Sequence, residues 1–102
     1  MKHTLQSIVG TGYFGDNLKM TPADLEKVFG KAQYMANTGT QKVNYEWRLE
    51  HQGEVFTIYD YKEYSPLVGG CTYEFHVGFK SKFAAENLFP IIRNYIAQKL
   101  VG

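Results

Sequence analysis

Between Lys42 and Lys62, two runs of alternating apolar and polar residues flank the dipeptide Gln52-Gly53. That pattern commits the middle of the chain to an antiparallel hairpin. With Gln52 and Gly53 as a two-residue loop, His51 opposes Glu54, Leu49 opposes Phe56 and Arg48 opposes Thr57. Further from the turn, Trp47 opposes Ile58, Glu46 opposes Tyr59 and Asn44 opposes Tyr61. One face is then apolar and the other is an Arg/Glu/Tyr surface, as a half-buried sheet requires. Slipping the pairing by one residue would set Phe56 and Ile58 against Arg48 and Glu46, so that register is rejected.

The rest of the chain supplies partners for this hairpin. Residues Thr4 to Val9 read as a first short strand, and Gly10-Thr11-Gly12-Tyr13-Phe14-Gly15 as a sharp turn or as backbone that approaches a ligand. No Gly-Lys-Ser/Thr follows, so this is no P-loop. Thr21-Pro22-Ala23-Asp24 opens a helix with Thr21 as N-cap, Pro22 at its first position and Asp24 at the positive dipole end. Leu25, Val28 and Phe29 share one face, and Gly30 stops the helix. Residues Lys31 to Gln41 read as a mobile polar connection. Thr72 to Phe79 alternates again, with Tyr73, Phe75, Val77 and Phe79 on one face and Glu74, His76, Gly78 and Lys80 on the other. Ser81 caps a helix from Lys82 whose Phe83, Leu88, Ile91, Ile92, Tyr95, Ile96 and Leu100 suit packing on a sheet, with a kink or restart at Pro90.

The expected fold is a single α+β domain over residues 1–102. An antiparallel sheet of about four strands carries a short N-terminal helix and a long kinked C-terminal helix on one face.

Composition narrows the function. The net charge of +1 argues against a protein built to grip a long nucleic-acid backbone. The single cysteine, Cys71, allows no internal disulfide and suits a reducing, cytosolic compartment. No apolar stretch approaches the roughly 20 residues of a membrane span, and no signal peptide is evident at the N-terminus. His3, His51 and His76 lack metal-ligand spacing, Cys71 has no activating neighbour, and Asp60 and Glu63 read as solvated charges. No catalytic residue, metal or cofactor is expected.

Aromatic residues are abundant, with seven Phe, eight Tyr and one Trp. Phe14, Phe29, Phe75 and Phe79 suit the core. The tyrosines exceed what a small core needs, because each buried hydroxyl requires a partner. Arg48, Tyr59 and Tyr61 fall on the polar face, with Lys62 and Lys80 at strand ends, a combination suited to phosphates and bases. Against this stands a plain reading in which Arg48 merely bridges Glu46 or Glu50, and His76 is a surface histidine. The candidate ligand-binding residues are Thr11, Tyr13, Arg48, Tyr59, Tyr61, Lys62, His76 and Lys80.

Most of the chain resembles small proteins of tailed bacteriophages. The residues that carry the resemblance are Leu25 to Gly30, Lys42-Val43, Glu46-Trp47, Gly53, Val55, Thr57 to Lys62, and Phe75-His76-Val77-Gly78 before Ser81. The pattern is similar to that of the anti-CBASS nucleotide-sponge family, from which the chain departs at Val77, where Ile is common, and in its long C-terminal helix. The resemblance implies a non-enzymatic homotetramer in the infected bacterial cytoplasm. It would bind a cyclic dinucleotide such as cyclic GMP-AMP without cleaving it. Two other readings are an inhibitor that docks a host protein through the aromatic sheet face, and a weak single-stranded nucleic-acid binder.

Overall fold

The structure is a computed structural model that describes residues 1–40 and 42–101. Its strands are β1 (Lys2–His3), β2 (Gly12–Met20), β3 (Tyr34–Met35), β4 (Tyr45–His51), β5 (Glu54–Asp60) and β6 (Tyr73–Phe79), and its helices are α1 (Pro22–Phe29) and α2 (Lys82–Val101). One antiparallel sheet runs β1-β4-β5-β6-β2, and β3 pairs with a second stretch of the β4 edge. The architecture is α+β, with six strands where about four were expected.

The hairpin forms in the expected register, from His51↔Glu54 through Leu49↔Phe56 to Glu46↔Tyr59. Gln52 and Gly53 both take positive φ, at 52° and 83°. This is the turn geometry that matches strand twist. The ladder stops short of the expected Asn44–Tyr61 pair. Asn44 N and Tyr45 N donate instead to the Asp60 carboxylate, at 2.9 and 2.8 Å, and Asn44 Nδ2 donates to it at 2.9 Å. Asp60 is therefore a buried acceptor, 0% exposed, and not a solvated charge. Three donors replace the water that a carboxylate loses on burial.

The expected strand at Thr4 to Val9 does not form. Only Lys2 and His3 pair there, and the long strand begins inside the glycine-rich segment at Gly12. Since β1 and β2 lie at opposite margins of the sheet, residues 4–11 must cross it. Thr4 Oγ1 and Gln6 Nε2 each donate to Glu50 Oε2 at 2.7 Å. Glu50 alternates with the core residue Leu49, so the crossing runs over the face away from the helices. Val55 and Thr57 are buried on that face.

The other face holds the core. Trp47, Leu49, Phe56, Ile58, Phe75, Val77 and Phe79 pack beneath Leu25 and Phe29 of α1 and Ala85, Leu88, Ile92 and Ile96 of α2. Helix α1 has its expected bounds and caps: Asp24 N donates to Thr21 Oγ1 at 3.0 Å, and Gly30 N to Glu26 O at 2.8 Å. Trp47 Nε1 donates to Gly30 O at 2.8 Å, tying the helix end to the sheet. Helix α2 runs through Pro90 without a restart. Pro90 lies on the exposed side of the helix.

Three further expectations are corrected. Phe14 is 44% exposed on β2, an edge strand, and not in the core. Phe83 and Ile91 point away from the sheet, since the buried stripe of α2 follows Ala85, Leu88, Ile92 and Ile96. The connection after α1 is tied rather than free. It contains β3, Ala36 N donates to Asn44 O at 2.8 Å, and the Asn37 side chain bonds both backbone groups of Leu67. Gln41, within that connection, lies outside the described residues.

Candidate ligand-binding site

The face of the sheet that no helix covers carries a cluster of rings. Alternation along β5 and β6 puts Tyr59 and His76 directly opposite each other on it. Tyr13 joins them through an irregularity in β2. The register runs Tyr13↔Gly78 and then Asn17↔His76, so four positions on β2 match two on β6. Gly15, at φ 101°, takes up the turn that this needs. The excess length lets Tyr13 fold back over its neighbour. Its ring stacks on His76 at 3.9 Å between centroids and 13° between planes, and its hydroxyl donates to Asn17 Oδ1 at 2.8 Å.

Tyr61 closes the cluster from the β5 side, 5.3 Å from His76, while Tyr59 meets the imidazole edge-on at 5.6 Å. Lys62 takes φ 59° just past β5, and its Nζ lies 5.2 Å from the centre of the Tyr61 ring. That separation is within cation–π range. The imidazole is thus enclosed by rings on several sides. Tyr13 and Tyr61, 44% and 41% exposed, offer their outer faces to solvent.

Gly78 makes room for this packing. A Cβ there would stand 2.5 Å from Thr57 Oγ1 and 3.6 Å from the Tyr59 ring. Any side chain would press on buried Thr57, while meeting the Tyr59 ring at ordinary contact distance. Burial lowers the pKa of His76 from the ordinary histidine value, against a weaker upward pull from Glu74, and raises that of Tyr59. Both shifts favour the uncharged form, so His76 and Tyr59 each keep a neutral ring with a hydrogen-bonding edge.

The eight expected site residues are not all brought together. Tyr13, Tyr59, Tyr61, Lys62 and His76 form the cluster. Arg48 stands on the same face, but its Nε is bonded to Glu46 Oε2 at 2.9 Å, as the plain reading of that residue held. Thr11 turns its hydroxyl back to Ile8 O at 2.8 Å. Lys80 follows β6 and Lys62 follows β5, which places them at opposite ends of these antiparallel strands. The three cations Arg48, Lys62 and Lys80 therefore do not form one cluster. Two residues that shape the site went unrecognised in the sequence: Asn17, which anchors Tyr13, and Gly78. A lone glycine within a strand pattern was the available signal for the second.

Comparison with protein-family models, curated proteins and solved structures finds no match to this chain.

Proposed function

We propose that the ring cluster of Tyr13, Tyr59, Tyr61 and His76 is a docking platform for a cyclic dinucleotide, such as cyclic GMP-AMP, which the protein sequesters without cleaving. The single observation that carries this reading is the preformed stack on the sheet face that no helix covers. Its outer tyrosine faces suit bases, and Lys62 beside Tyr61 suits a phosphate. A rigid platform loses little conformational freedom on binding, which favours affinity. Arg48 would add a second cation if a phosphate drew it from Glu46, since a guanidinium fork matches phosphate oxygens. Holding a signal requires slow release and no transition-state machinery. In an infected bacterial cell such a protein would act in the cytoplasm and keep the signal from host effectors, and a homotetramer would multiply its sites.

A second reading has specific support in Phe14 and Tyr13, which stand exposed on edge strand β2. An edge with exposed rings can also receive another protein. One experiment separates the readings. The protein is mixed with a panel of cyclic dinucleotides, repurified, digested with proteinase, and the released ligand is identified by mass. Intact cyclic dinucleotide supports sequestration, and a hydrolysed product contradicts it. Capture of none of the panel removes the ligand reading and leaves the protein-docking one.

A further inference from the structure

The solvent side of α2 carries a line of residues in which Asn87 Nδ2 donates to Phe83 O at 2.7 Å, within the helix itself. Phe83, Asn87, Pro90, Asn94, Ala97 and Val101 recur at alternating spacings of four and three, and all six are exposed. None is charged, although the helix has Lys82, Glu86, Arg93 and Lys99 elsewhere. At 3.6 residues per turn this line lies opposite the buried stripe of Leu88 and Ile92. Phe83, Pro90, Ala97 and Val101 are apolar or small, Asn87 and Asn94 are polar, and the line has the 3.5-residue spacing of a two-helix seam. Phe83 is 76% exposed and Val101 89%.

The borders of the seam identify the occupant. Glu86 and Arg93 lie along one border, and Ile91, 45% exposed, lies on the other. An antiparallel partner related by a two-fold axis matches each border with its own copy. With the axis level with residues 89 and 90, Glu86 comes level with Arg93 of the second copy, twice, and Ile91 approaches the other Ile91. A parallel partner would instead set each charged border against Ile91 or Gln98, leaving Glu86 and Arg93 unmatched. We infer that the outer face of α2 binds the same face of a second copy of this chain in antiparallel orientation, locked by two Glu86–Arg93 pairs. Because α2 covers the core face of the sheet, this pairing is back to back and leaves both ring clusters facing outward. The inference stands independently of what those clusters bind.

Sedimentation of the full chain tests it. The wild type is expected to sediment as a dimer or a multiple of one. Glu86→Arg and Arg93→Glu should each weaken association at least about tenfold, and the double swap should recover most of that loss. In a Cys71→Ser background, mild oxidation should cross-link Pro90→Cys, which lies beside the axis, but not Phe83→Cys. A monomer at about 100 µM, a weak regime for specific association, would overturn the inference. So would association indifferent to both swaps, or cross-linking through Phe83→Cys. A monomer that still captured a dinucleotide would overturn this pairing alone.

Discussion

The two faces of one sheet have been put to opposite uses. Both arise from the same strict alternation along β4, β5 and β6. On the helix side the alternating positions are Trp, Leu, Ile, Val and Phe, and they are almost wholly removed from water. On the other side they include Tyr59, His76 and the glycine at 78, with Tyr13 and Tyr61 folded in around them. The first set gains its stability by leaving water. The second stacks as closely as a core does yet keeps ring faces exposed, although the crossing chain of residues 4–11 covers only part of that side. Val55, Thr57 and Gly78 are buried on this face, while Tyr13 and Tyr61 stay exposed.

The contrast can be broken at several points. Trp47→Ala should cost the most, about 3–5 kcal/mol in denaturant unfolding, because it empties a buried site and frees the Gly30 carbonyl. Asp60→Ala should follow, at about 3 kcal/mol, by leaving Asn44 and Tyr45 donors without an acceptor. Gly78→Ala should cost about 1–3 kcal/mol through its collision with Thr57. It should also disturb the ring cluster, visible as a changed His76 resonance. Tyr61→Ala should hardly affect stability, within about 0.5 kcal/mol.

Titration gives a gentler test of the same difference. His76 should titrate by NMR with a midpoint below the ordinary histidine value of 6.5, because burial disfavours its charged form. The unfolded chain then binds this proton more readily than the folded one. The contribution to stability is full above about pH 6.5 and is lost as pH falls through the lower folded value. A His76→Asn variant should lack that part of the acid slope.

What could be read from the sequence follows the range of the interactions involved. The hairpin register was legible because a two-residue turn and a period of two act over neighbouring residues. Helix α1 was legible because Thr21, Pro22 and Gly30 mark its ends locally. Strands β1 and β3, at two residues each, are too short to show any period. Strand β2 was hidden because glycines read as a turn, whereas Gly15 serves an irregularity within the strand. The burial of Asp60 depends on backbone donors 15 and 16 residues away, which no local pattern reveals. For the candidate site, alternation placed Tyr59 and His76 on one face, but the stacking of Tyr13 needed the β2–β6 register. The pairing of Arg48 with Glu46 depended on rotamers, and the sequence left it open.

The central claim is that the exposed rings, and not the sheet as such, hold the ligand. Calorimetric titration of cyclic GMP-AMP into the wild type and into Tyr61→Ala tests it most directly. Loss of one stacking ring should weaken binding by about 1–3 kcal/mol, roughly five- to 150-fold, in a protein that unfolds at an unchanged denaturant concentration. Equal affinity in the two proteins, or no heat of binding in the wild type, would contradict it.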